Sequence, residues 1–287
     1  MPQSVDELLA LLDLEAIEDN LFRGQQPDTQ LQRVFGGQVA AHALVAASRT
    51  VPERYVVHSL HSYFLRPGDT SVPIVYDVDT LREGRSFATR RVIARQHGRP
   101  IFALTSNHQV PEDGLEHQDP MPEVPAPEDC PSLVDVTQGP PEVAERWKRE
   151  WDVLEIRHAG DTRPGGSLPH DGRAARSRLW IRISGALPDD RLTQVAAFTY
   201  ASDMTLLAAA LVPHGLEISS PGLQAASLDH AVWFHRPFRA DDWWLYDQVS
   251  PSASGGRGLG LARVFTRDGV LVATVAQEGL IRVRDAD

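Results

Sequence analysis

Three residues could together carry hydrolytic chemistry: Asp203, Ser227 and Gln277. A carboxylate can act as a general base, a hydroxyl can hold a water, and a buried amide can orient both. They stand out because the chain repeats itself. Phe64-Leu65-Arg66-Pro67 matches Phe234-His235-Arg236-Pro237, and Ile101-Phe102-Ala103 matches Leu271-Val272-Ala273, both 170 positions apart. One offset at separated anchors, with the same order of elements, marks a duplicated domain. At that offset Ser227 stands against Val57 and Gln277 against Asn107. Asp203 is expected to open a helix whose counterpart, Val34 to Ala47, has no carboxylate. Each residue also has a plainer explanation. Asp203 would suit a helix N-terminus through the dipole, and Ser227 could be a strand serine satisfied by backbone. Gln277 shares the parity of Leu271, Ala273 and Val275, so its amide is expected to be buried and to need partners. Spacing alone does not bring the three together.

Other motifs lose their chemistry in context. Gly256-Arg257-Gly258-Leu259-Gly260 has the look of a phosphate loop but runs into Leu261-Ala262-Arg263-Val264-Phe265, a strand pattern, so a glycine-rich hairpin is expected. Gly84-Arg85-Ser86-Phe87-Ala88 lacks the helix that a nucleophile elbow needs. His58 and His61 are at odd spacing in a strand pattern, which predicts opposite faces, and no zinc-ligand spacing occurs elsewhere. Cys130, the single cysteine, sits in a proline-rich stretch with no histidine pattern beside it, which predicts a bystander.

The elements that must position these residues follow from pattern. Ser4 to Ile17 is expected to be an amphipathic helix capped by Ser4. Gln38 to Arg49 is apolar nearly all round, which predicts a buried helix. Strands are expected at 56–66, 72–81, 87–95 and 101–109, separated by turn residues. The proline-rich stretch from Pro111 reads as a linker, followed by a short helix from Glu142 to Trp151. Asp161 to Arg178 reads as a loop. The pattern then restarts with a strand at 179–183, a helix at Thr205 to Leu211, and strands at 225–236, 243–251, 259–267 and 271–282. A buried helix followed by hairpin-linked strands predicts α+β with an antiparallel sheet. The expected division is residues 1–110, a linker over 111–150, and residues 151–287 carrying the catalytic set.

A net charge of −11 removes the global basic footprint of a nucleic-acid binder. One cysteine allows no disulfide within the chain and fits a reducing compartment. The acidic N-terminal segment does not read as a secretory signal, and no uninterrupted apolar run reads as a membrane span. The terminal Arg-Asp-Ala-Asp is not a peroxisomal address. The expected location is therefore cytoplasmic.

Several longer strings carry a resemblance. Val34-Phe35-Gly36-Gly37-Gln38, His58-Ser59-Leu60-His61-Ser62-Tyr63-Phe64-Leu65-Arg66-Pro67-Gly68, Tyr200-Ala201-Ser202-Asp203, Asp229-His230, Trp233-Phe234-His235-Arg236-Pro237, Asp268-Gly269-Val270-Leu271-Val272-Ala273 and Gln277-Glu278-Gly279 resemble the acyl-CoA thioesterase II family, in order along nearly the whole chain. The resemblance implies a double hotdog fold, hydrolysis of acyl-CoA thioesters in lipid metabolism, and assembly into a homo-oligomer; no cofactor or metal is expected. It places the family's catalytic Asp, Ser or Thr, and Gln on Asp203, Ser227 and Gln277. Asp203 would then activate a water, Ser227 and Gln277 would hold it in line, and backbone N–H groups at the start of the Asp203 helix would polarise the carbonyl. Arg85 and Arg257, at the repeated turn, are candidates for the coenzyme A phosphates. Two alternatives stay open: a non-catalytic acyl-CoA-binding protein, and a hotdog hydratase or dehydratase. The latter needs a histidine beside the acid, and the next histidine in sequence after Asp203 is His214.

Overall fold

The structure, a computed structural model, describes residues 1–137, 141–169, 172 and 175–283; the terminal Arg-Asp-Ala-Asp lies outside them. Helix α1 (Val5–Leu12) starts where the Ser4 hydroxyl accepts the Glu7 N–H at 3.2 Å, and it buries Leu8, Leu11 and Leu12. It ends five residues before the expected Ile17. Glu15–Glu18 instead forms β1, an exposed edge strand on β2 (Leu21–Gly24). Helix α2 (Gly36–Arg49) is buried continuously from Gly37 to Ala47, as its all-round apolar surface requires. It precedes four strands: β3 (Val56–Phe64), β4 (Ile74–Glu83), β5 (Phe87–Gln96) and β6 (Arg99–Gln109).

The proline-rich stretch follows, with two short helices, α3 (Leu133–Val136) and α4 (Pro141–Trp151). The second half contains β7 (Leu154–Asp161), β8 (Arg176–Ile183), α5 (Arg191–Ser202) and a tight 3-10 segment at Leu206–His214. Then come β9 (Leu223–Ser227), β10 (Asp229–Phe234), β11 (Trp244–Ser254), β12 (Arg257–Thr266) and β13 (Leu271–Val283). The expected loop at Asp161 to Arg178 is thus shortened from both ends by β7 and β8, whose pairing recruits half-polar residues that pattern alone assigns to a loop.

All strands join one antiparallel sheet in the order β1-β2-β4-β5-β6-β3-β10-β13-β12-β11-β8-β7, with β9 also on β13. The seam between the halves is the β3–β10 pair, running from Asp229 opposite Tyr63 to Trp233 opposite Ser59. Helix α2 packs on β3 to β6, the 3-10 segment packs on β8, β11, β12 and β13, and α5 packs against α2. This is the α+β double hotdog that the resemblance implies, two helix-wrapped halves under one continuous sheet.

Two corrections concern the second helix. The expected helix from Thr205 is preceded by α5, which the sequence reading missed, and Asp203 closes α5 as its C-cap. The combined run Arg191–His214 is also long and apolar enough, by composition, to cross a bilayer. With 89% of its apolar window buried inside the fold, core packing accounts for that character.

The Gly256-Arg257-Gly258-Leu259-Gly260 motif opens the β12 arm of the β11–β12 hairpin. Its glycines serve packing. A Cβ on Gly260 would lie 2.8 Å from the Leu206 carbonyl oxygen, and one on Gly279 would lie 2.4 Å from Leu207. Bare backbone here lets the 3-10 segment press onto β12 and β13 beside Gln277.

Candidate active site

Asp203, Ser227 and Gln277 converge from three elements. Gln277 lies on β13 with no exposed surface, and its Nε2 donates to Asp203 Oδ1 and, at 3.0 Å, to Ser227 Oγ. Ser227, the last residue of β9, makes a longer contact of 3.5 Å with the same carboxylate oxygen. A third donor comes from the other half of the molecule. The Gly37 backbone N–H, at the start of α2, donates to the Asp203 carboxylate.

Local sequence explains this crossing. Helix α2 has Phe35 at its N-cap position, which offers no side-chain bond to the orphan N–H groups of the first turn. Asp203 supplies the missing acceptor. Gly36 and Gly37 make room for it: a Cβ on Gly36 would stand 2.5 Å from Asp203 Oδ2, and one on Gly37 would stand 2.2 Å from the Tyr200 carbonyl oxygen. Phe35 then packs edge-on against Tyr200 and Trp151, at 5.2 and 4.7 Å between ring centres.

The electrostatics oppose one another. Asp203 sits at the C-terminal end of α5, where the dipole disfavours a negative charge, and at the N-terminal end of α2, where it favours one. Burial is the largest influence and pushes its pKa up to about 7, against the lowering effect of the bonds from Gln277, Gly37 and Ser227. A carboxyl group that ionises near neutrality is a competent base.

A β-bulge sets the direction of Ser227. Ser227 is opposite Gly279, while Ala231 is opposite Ala276, so β9–β10 holds one residue more than β13 between these pairs. The Asp229 carboxylate accepts the Glu278 N–H at 2.6 Å within the bulge. The equivalent strand of the first half also shifts register, between Val57 and Ser59.

The bulge brings in a residue to which the sequence reading gave no chemical role. His230 is wholly buried, its Nε2 is 2.9 Å from Ser202 Oγ, and its Nδ1 is 4.0 Å from Asp203 Oδ1. Burial lowers its pKa to about 4, so the ring is neutral and this contact is not an ion pair. A histidine therefore does stand beside the acid. The search along the sequence to His214 missed it because the contact is tertiary. One available signal was the offset of 170, which sets His230 against Leu60, a fully buried apolar residue.

The two candidate phosphate ligands are not brought to this cluster. Arg257 is exposed and paired with Glu278 at 3.0 Å, on the sheet face opposite Gln277. Arg85 is exposed in the turn between β4 and β5, in the first half. Cys130 is buried in a small cluster with Trp180, Leu245 and Phe265.

Comparison with known proteins decides the family. Residues 152–280 match the acyl-CoA thioesterase family, and residues 25–109 match the acyl-CoA thioesterase N-terminal domain. The chain belongs to the acyl-CoA thioesterase family. Acyl-CoA thioesterase 2 of Haemophilus influenzae is 43% identical over 98% of this chain and 99% of its own length. Human acyl-coenzyme A thioesterase 8 is 38% identical over 96% of this chain and 88% of its own. The crystal structure of an acyl-CoA thioesterase II from Mycobacterium marinum superposes with a TM-score of 0.83 at 45% identity, covering 96% and 98% of the two chains. Within this thioesterase, the Asp203 cluster is a buried acid held by donors from both halves of the fold.

Proposed function

We propose that this chain hydrolyses acyl-CoA thioesters to free acid and coenzyme A with a water activated by Asp203. The observation that carries the proposal is the buried Asp203 carboxylate, raised to about 7 and fixed by Gln277, Ser227 and the Gly37 N–H. The water loses a proton to Asp203 as its oxygen attacks the thioester carbonyl. Ser227 and Gln277 align the carboxylate with the water, a positioning effect. The first-turn N–H groups of α2 that Asp203 does not take, in place of a helix beginning at Asp203, polarise the carbonyl oxygen. The collapsing intermediate expels the coenzyme A thiolate, which takes the proton back from Asp203.

Ser227 is a positioning group in this scheme and not a nucleophile. Its hydroxyl faces the carboxylate and the Gln277 amide, and no histidine bonds to it among the described residues. Release of free thiol from acyl-CoAs of varied chain length tests the activity. Mass spectrometry of the protein quenched during turnover tests the route: unmodified Ser227 is expected, and an acylated Ser227 would overturn direct attack by water.

The proposal extends to a cytoplasmic place in fatty acid metabolism and to a homo-oligomer. It treats 1–110 and 151–287 as the two hotdog units, joined by 111–150. Light scattering on the eluting protein checks the oligomer.

A further inference from the structure

His230 has an unusual proton inventory for a buried residue. The Ser202 hydroxyl donates its one proton to the Thr199 carbonyl oxygen at 3.1 Å. Assigning that proton to the carbonyl oxygen, which can only accept, makes the hydroxyl an acceptor toward the ring and places the ring proton on Nε2. A neutral ring has only that one proton, which leaves Nδ1 bare. Nδ1 is fully buried, has no hydrogen-bond partner, and is 4.0 Å from Asp203 Oδ1. A buried acceptor without a partner is costly, and here it is aimed at the group that changes protonation during turnover.

We propose that His230 is a positioning residue for hydrolysis, its bare Nδ1 accepting the O–H of Asp203 once that carboxylate has taken a proton from water. The inference rests on the assignment of Asp203 as the base. A bare lone pair repels an ionised carboxylate and binds a protonated one. In the resting enzyme it keeps Asp203 basic. After attack, one water O–H bond has broken, a C–O bond and an Asp203 O–H bond have formed, and His230 holds that O–H. When the C–S bond breaks, the same proton passes from Asp203 to the leaving sulfur and Nδ1 is bare again. The ring stays neutral throughout.

Contrast with the other half agrees. The position 170 residues earlier is Leu60, buried and apolar, in the half whose counterparts of Ser227 and Gln277 are Val57 and Asn107. The polar ring thus occurs only in the half that holds the acid. The titratable groups facing Asp203 are His230 from β10 and Tyr246 from β11, whose hydroxyl donates to the Ser202 carbonyl at 2.9 Å. The backbone of Gly37 on α2, Ser227 on β9 and Gln277 on β13 complete the shell, and none of them titrates.

Two substitutions in the full chain separate the roles of the two ring nitrogens. His230→Asn can place an amide oxygen near the Nδ1 position and cannot reach Ser202. His230→Gln can reach Ser202 and leaves nothing at Nδ1. Thiol release from an acyl-CoA is followed against pH for both, beside wild type and Asp203→Asn. His230→Gln is expected to lose kcat on the order of tenfold with KM unchanged. The acid limb of its profile should move down by about one unit, the shift equivalent to a tenfold effect. His230→Asn is expected to keep the limb near its wild-type position. The inference alone fails if Asp203→Asn is inactive while His230→Gln retains wild-type kcat and profile, or while His230→Asn shifts the limb and His230→Gln does not. Near wild-type turnover by Asp203→Asn would overturn the assignment of the base as well. Imidazole 15N spectra of the unmodified protein provide a check independent of folding variants. Protonated Nε2 with bare Nδ1 is expected, and the opposite tautomer would overturn the inference.

Discussion

At the scale of the residue, Asp203 sets function against stability. Its pKa rises from 3.8 to about 7 on folding, with burial the main cause. Between those values the folded state binds more protons than the unfolded state, so stability falls as pH rises through this window. The full cost is present above about pH 7 and absent below about pH 4. Asp203→Asn removes the charge and keeps the shape, and Gln277, whose Oε1 has no partner, can turn over to meet the new amide. The variant should be more stable than wild type at pH 8 by up to ~2–4 kcal/mol, and so unfold at a higher temperature. The two should converge near pH 4, as calorimetry at both pH values would show. The activity of wild type should rise with pH through about 7, as the carboxylate forms. A rate that is flat from pH 5 to 8 would speak against Asp203 as the base.

At the scale of the element, the meeting of α2 with the end of α5 makes the site. Gly36→Ala would ordinarily favour a helix, by roughly 0.5–1 kcal/mol. Here the added Cβ meets Asp203 Oδ2 at 2.5 Å and Phe64 at 2.7 Å, so the contact decides the sign. Turnover should fall on the order of tenfold or more, with ~1–3 kcal/mol of stability lost in a urea titration. Unchanged turnover would show that α2 can retreat from Asp203 at no cost. The same meeting marks the limit of what pattern discloses. Strands and the buried α2 were legible because alternation and apolar runs are local signals. Gln277 was legible from strand parity, and Ser227 from contrast with Val57. The missing α5, with Asp203 at its end, was not: Ala, Thr and Phe over 191–202 give no clear amphipathic face, since nearly every side is buried. His230 escaped because the bulge breaks parity between positions 227 and 230. Gly37 escaped because its role depends on a partner 166 positions away.

At the scale of the whole molecule, the two halves share one sheet, joined by the β3–β10 seam and by α2 against α5, and are expected to fold as one unit. All six tryptophans, from Trp147 to Trp244, lie beyond the first half, with Trp151 against Phe35 and Trp233 against His61, so indole fluorescence reports the second half and its contacts with the first. Ile74→Ala empties a fully buried site on β4, and a change of this kind costs ~2–5 kcal/mol. It should lower the midpoint seen by tryptophan fluorescence as much as that seen by far-ultraviolet circular dichroism. Separate midpoints would mean that the halves unfold independently. Joint folding is also what allows a first-half N–H to serve a second-half acid. The most direct test of that arrangement is thiol release from an acyl-CoA at pH 8 by Asp203→Asn, with folding verified by its thermal midpoint. The expected result is a protein at least as stable as wild type whose kcat is lower by roughly 10²–10⁴-fold. A folded Asp203→Asn protein that releases thiol at the wild-type rate would contradict the account.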